Sequence, residues 1–172
     1  MKRFNWRDLT EIVGIIAIVG SLIFVGLQLN QSQEIAIASQ YQERASTAVE
    51  FYGSQMENER AIAEKGAQIA AAARAGITSP ELRDFVKDRS AESIGMWFYE
   101  NRVFFVMLDN FHYQYSAGFM EDESWDAFRQ QLQDELSRES TAAYYQDYGF
   151  KLRTSFEELC EQILKETVAE SD

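Results

Sequence analysis

The only histidine of the chain, His112, follows Asp109 by three residues. On a helix that spacing puts both side chains on one face. A carboxylate beside an imidazole is the start of a metal site or of acid–base machinery. Glu100 lies further back on the same stretch. Di-iron bundles take a Glu-x-x-His pair from each of two helices. One histidine cannot supply two such pairs, so a site of that kind within one chain is excluded. What is left of the metal reading is Asp109, His112 and a third carboxylate from elsewhere. The plainer reading is a helix face on which the two residues hydrogen-bond within a bundle, and no metal or other cofactor is expected. Glu100, Asn101 and Arg102 interrupt an aromatic run. Buried, their charges must be paired, because an isolated buried ion costs several kcal/mol. They are read either as a polar pocket inside the bundle or as an internal ion pair of Arg102 with Glu100 or another acid.

Other chemistry finds no footing. No nucleophile elbow surrounds a serine, and the nine glycines are dispersed rather than gathered in a phosphate loop. The single cysteine, Cys160, rules out an internal disulfide and a cysteine-rich zinc site. In an exported domain it could bridge to another chain, but beside Phe156 and Leu159 it reads as a buried, inert thiol. No enzymatic activity is expected.

The elements that position these residues are helices. One proline in 172 residues, and few turn clusters, argue against a strand-rich fold. The expected fold is all-α: one transmembrane helix continuing into a long helix that packs in an antiparallel bundle. The first helix is expected from about Asp8 to Met56, loosened near Gly53. A second, alanine-rich helix lies in "ENERAIAEKGAQIAAAARAG", with Gly66 as a point of division and Gly76 just past its end. "TSPELRDF" opens a third, with Ser79 as cap and Pro80 in the first position, running to about Ala117 and stopping at Gly118. Its middle, "IGMWFYENRVFFVMLDNFHYQY", is apolar on most sides, as a buried central helix is. A fourth carries Trp125, Phe128, Leu132 and Leu136 on one face, with Asp122 as its cap. "STAAYYQDYGFKL" makes a shorter helix. Ser155 and Glu158 read as a capping box opening the last one, with the tail frayed from Val168.

Topology follows from residues 12–29, which carry no charge. At 1.5 Å per residue they span roughly 27 Å, near the thickness of a bilayer core. A cleaved export signal has a shorter apolar stretch, and the Ala36–Ala38 pair lies well beyond Leu29, so a retained anchor is expected. Lys2, Arg3 and Arg7 precede the span and no base follows it before Arg44. The positive-inside rule then keeps residues 1–11 in the cytoplasm. Phe4 and Trp6 suit the interfacial belt. The organisation expected is a cytoplasmic N-terminus (1–11), a transmembrane helix (12–29), a helical bundle outside the cytoplasm (30–168) and a tail (169–172). About ten residues inside the cell cannot house a signalling module.

Partners are constrained by charge and by one stripe. The net charge is −12 and the first 29 residues carry +1, so the body is strongly acidic. That repels phosphate backbones, and no nucleic acid is expected. Gly14, Ala17, Ser21, Phe24, Gln28, Gln31, Ile35, Ala38, Gln42, Ala45, Val49, Tyr52 and Met56 share one helical stripe. Small residues in lipid permit close helix contact, and the apolar and glutamine positions beyond suit a coiled-coil-like seam. The stripe is read as a homo-oligomer or membrane-partner face, or, from Ile35 onward, as the side that packs on the chain's own bundle. The aromatics of the central helix are read as core or, alternatively, as a cavity for a lipid or other hydrophobic ligand, or a patch contacting a partner or the outer leaflet.

The span "GIIAIVGSLIFVGLQL", the segment "NFHYQYSAGFM", and Trp125, Tyr144, Tyr145, Ser155 and Phe156 resemble an uncharacterised family of bacterial single-pass membrane proteins. Asn110, Gln114, Tyr115 and Gly118 belong to the same pattern. The resemblance implies a membrane-anchored helical domain; with the charge asymmetry, the expected place is a bacterial inner membrane with that domain in the periplasm or otherwise outside the cytoplasm. It implies no activity and no catalytic residue.

Overall fold

The computed structural model describes residues 6–149 and 152–171, with side chains described from Thr10 to Thr167. Lys2, Arg3 and Phe4 lie outside the described residues. So do the side chains of Trp6 and Arg7, and Asp172. Among the described residues the fold is all-helical: α1 (Trp6–Met56), α2 (Glu59–Arg74), α3 (Pro80–Val86), α4 (Ala91–Ser116), α5 (Asp122–Leu136), α6 (Glu139–Tyr148) and α7 (Thr154–Ser171). The chain divides into two units at Gln40/Tyr41.

In the first unit the described chain is all part of α1. Ile12, Leu22 and Leu29 are 54%, 67% and 59% exposed, and the other large apolar side chains between them are exposed in the same way. This is the one stretch of the described chain long and apolar enough to cross a membrane. Gly14, Gly20 and Gly26 face open space.

The second unit holds the end of α1 and all of α2–α7. Tyr52 and Met56 pack against a core built by every later helix. Asn58 caps α2 by accepting from the Ala61 amide at 3.1 Å, and Gly53 leaves α1 unbroken to Met56.

Gly66 does not divide α2. It is buried at a crossing where a Cβ would fall on the Ala91 carbonyl of α4, and Gly95 of α4 meets the Ile62 carbonyl in the same way. Residues 62 and 66 face 95 and 91, so α2 and α4 run antiparallel. The absence of two side chains lets their backbones touch.

Gly76 and Gly118 take the positive φ expected of helix terminators, 70° and 77°. At each, the following amide donates back to a carbonyl five residues earlier, Ile77 to Ala72 and Phe119 to Gln114, as in a Schellman motif.

The helix expected from Pro80 to Ala117 is two. α3 ends at Val86, where Arg89 turns back to donate from Nε to the Phe85 carbonyl. Ser90 then caps α4 by accepting from the Ser93 amide at 3.2 Å. A good cap inside an apolar pattern ends one helix and starts another. The Ser79 cap of α3 holds as read, and both its amide and its hydroxyl also donate to Asp147 of α6. In α5 the cap position is Glu121, and Asp122 is the first helical residue. Ser155 falls inside the first turn of α7, so it forms no capping box; Glu157 instead accepts from the Leu152 amide at 3.1 Å. α7 stays helical past Val168 to Ser171.

The core is aromatic. Phe105 is fully buried and stacks on Tyr144 at 5.8 Å and 8°. Trp97 and Phe98 meet the same Tyr144 edge-on. Phe111 stacks on Phe128 at 4.3 Å.

Candidate functional site

α4 brings the chemistry-bearing residues into the bundle, but it distributes them among three places. Asp109 faces the loop before α7. There the Arg153 Nε donates to its carboxylate at 3.1 Å, and an Nη of the same guanidinium donates to the Asp109 backbone carbonyl. The two side chains are only about a fifth exposed. Burial raises the Asp109 carboxyl above its ordinary range, although Arg153 pulls the other way. Arg153 also lies over the Tyr113 ring, 4.7 Å from its centroid.

His112 does not share this bond. Its ring lies 5.3 Å from Trp125 and 5.6 Å from Phe156, centroid to centroid. Its buried Nδ1 has no hydrogen-bond partner among the described residues. Burial, and secondarily Arg153, hold its pKa below the usual imidazole value. The Asp109–His112 hydrogen bond expected from spacing is thus replaced by an ion pair on one side and an aromatic setting on the other. No group of three or more His, Cys, Asp or Glu side chains that could hold a metal occurs among the described residues.

Glu100, Asn101 and Arg102 do not form one pocket. Asn101 is buried and donates from Nδ2 to the Trp97 carbonyl one turn back, at 2.8 Å. Glu100 is exposed and, with Asn101, borders a surface recess of about 320 Å³ shared with Glu135 and Arg138. Arg102 points elsewhere, its guanidinium 5.6 Å from the Tyr52 ring and 5.8 Å from Phe98. Two residues apart on a helix, Glu100 and Arg102 cannot face each other.

The stripe on α1 is also divided. Gly14, Ala17, Ser21, Gln28 and Ile35 are exposed, Ala38 is buried, and Ala45, Val49 and Tyr52 are half-buried. Within the second unit Tyr52 is spent on the core beside Tyr99. Cys160 is fully buried, and burial pushes its thiol up to about 12, leaving no thiolate for chemistry.

Arg153 is the residue the sequence reading left out. Lys151 and Arg153 are the only bases between Arg138 and Lys165. An aspartate inside an apolar helix needs a cation, and that need was the available signal.

No family model, curated protein or solved structure matches this chain.

Proposed function

We propose that the protein is a single-pass membrane protein whose helical body serves as an accessory or scaffold through protein–protein contacts. The observation that carries this is the uniform exposure of residues 12–29, from Ile12 at 54% to Leu29 at 59%. A contiguous apolar surface of that length is unfavourable in water by about 25 cal/mol per Å² and finds its partner in lipid. The basic residues before it favour an inside N-terminus and a body outside the cytoplasm, the inner membrane of a bacterium being the setting the family resemblance suggests. Gly14, Ala17 and Ser21 stay exposed on one face, and in lipid such a face favours helix–helix contact with a second copy.

The test is the mass of the full chain in a mild detergent. A homo-oligomer is expected, and Ala17→Leu or Ser21→Leu is expected to shift it to the monomer. A monomeric wild type without a co-purifying protein would overturn the scaffold reading. A second reading, a tethered module for a lipid or other hydrophobic ligand, draws on an open recess of about 500 Å³ between α6 and α7. Tyr145 and Leu164 give it an apolar wall. It predicts a monomer that carries lipid, and loss of that lipid on Leu164→Glu.

A further inference from the structure

One face of α4 carries Trp97, Glu100, Asn101 and Phe104, spaced three and four apart. With Glu135 and Arg138 at the turn from α5 to α6, and Thr141 of α6, it borders the surface recess of about 320 Å³. Two polar side chains of that lining are more than nine-tenths buried, Asn101 at 9% exposure and Thr141 at 4%. Asn101 spends its Nδ2 on the Trp97 carbonyl. Its Oδ1 and the Thr141 Oγ1 take part in no hydrogen bond among the described residues, yet neither is sealed inside the protein as the Asn110 Oδ1 is. Each therefore keeps its remaining surface toward the recess that its residue lines. Glu100 is exposed and makes no ion pair among the described residues. Glu135 is matched by Arg138, whose Nη1 donates to both carboxylate oxygens at 2.8 Å. One carboxylate charge is left over, and the N-terminus of α6 offsets about half of it at most.

We propose that this recess binds a small primary alkyl amine in its ammonium form. An ammonium carries three N–H donors and no acceptor. The recess answers with acceptors alone: the Glu100 carboxylate, Asn101 Oδ1 and Thr141 Oγ1. Hydrogen bonds from a charged donor are about twice as strong as neutral ones. Trp97 and Phe104 give the alkyl chain an apolar wall, and aromatic faces also attract cations. An anion finds no such reception, because the guanidinium of Arg138 is already taken by Glu135. A quaternary ammonium has the charge but no N–H, so it leaves both buried oxygens unanswered. At roughly 30 Å³ per water the space equals about ten waters, enough for an amine of four to six carbons. The acidic excess of the body raises the local concentration of such cations. This inference does not depend on the scaffold reading, since it concerns the body alone.

The experiment is calorimetric titration of the full chain, in micelles of an uncharged detergent at pH 7, with butylamine, butyltrimethylammonium and butyrate. Butylamine is expected to bind at least ten-fold tighter than butyltrimethylammonium, which has the same chain and charge but no donor. Butyrate is expected to give no heat. Glu100→Gln, at an exposed position where folding is not at stake, is expected to weaken butylamine binding ten-fold or more. Glu123→Gln removes the same charge from the start of α5, away from the recess, and is expected to bind as the wild type does. Thr141→Val keeps the shape and removes one acceptor, and is expected to narrow the preference for butylamine at least three-fold. Absence of heat with butylamine at millimolar concentration overturns the proposal. So does equal affinity for the two ammonium ions, an equal effect of the two glutamate substitutions, or binding of butyrate alone.

Discussion

Two stretches of this chain are apolar on nearly every side and end up in opposite surroundings. Residues 12–29 of α1 are exposed throughout, whereas α4 buries Ile94, Phe98, Tyr99, Phe105 and Leu108 in the body. Periodicity does not separate them, because neither has a distinct polar face. Composition does. The α1 stretch is aliphatic but for Phe24, with Gln28 as its only polar side chain apart from Ser21. The α4 stretch is aromatic and carries Asn101, Arg102, Asp109 and His112, each of which needs a protein surround. Glycine tells the same story: Gly14, Gly20 and Gly26 face nothing, while Gly95 admits a backbone. An apolar helix bound for lipid can be uniform; one bound for a protein core must fit particular neighbours.

That contrast can be broken in order of size. Phe105→Ala removes a fully buried ring and is expected to destabilise the body by about 3–5 kcal/mol. Leu22→Ala in the exposed stretch should leave chemical unfolding of the body unchanged. Equal losses in urea titrations of the two variants would end the comparison. Next, Gly95→Ala forces a methyl onto the Ile62 carbonyl and is expected to cost about 3 kcal/mol, the upper part of the overpacking range. Gly20→Ala meets nothing, and differential scanning calorimetry should find its transition at the wild-type temperature.

The smallest effect is one of pH. The folded-state pKa of His112 lies below its unfolded value of about 6.5. The unfolded chain therefore takes up the proton first. This contribution is complete above pH about 6.5 and is lost as the pH falls from there through the lowered folded value. Asp109 acts in the opposite sense: its raised folded pKa returns stability as the pH drops through that value toward the ordinary carboxylate range. His112→Phe should flatten the fall in melting temperature as the pH drops from about 6.5 toward the lowered folded value. A slope equal to that of the wild type would show that His112 is not its source.

The sequence was most informative where a single residue decides a local geometry. Met56 as the end of α1, Gly76 and Gly118 as terminators, and Ser79–Pro80 as a start were all readable because caps and positive φ are local chemistry. The break at Lys87–Ser90 was not, since an apolar pattern on both sides concealed the Ser90 cap. Gly66 was read for its helix propensity, yet its position reflects a neighbour 25 residues away, Ala91. The Asp109–Arg153 bond spans 44 residues, and no periodicity encodes which base answers a buried acid. The oligomer stripe was legible as a pattern, but whether Tyr52 serves another chain or its own core depends on tertiary packing alone.

The crossing of α2 and α4 has a genetic corollary. Each helix gives one glycine and receives the other's carbonyl, so the obstacle to a larger residue is main chain on both sides. A bulky replacement at Gly66 or Gly95 meets a carbonyl that no second mutation can trim; at Gly95 the Ile62 Cγ2 also lies 3.0 Å from the added Cβ, but trimming that side chain would leave the carbonyl in place. Suppressors of such a lesion should therefore arise as same-site revertants or as general stabilisers far from the crossing, and not as compensating partners across it.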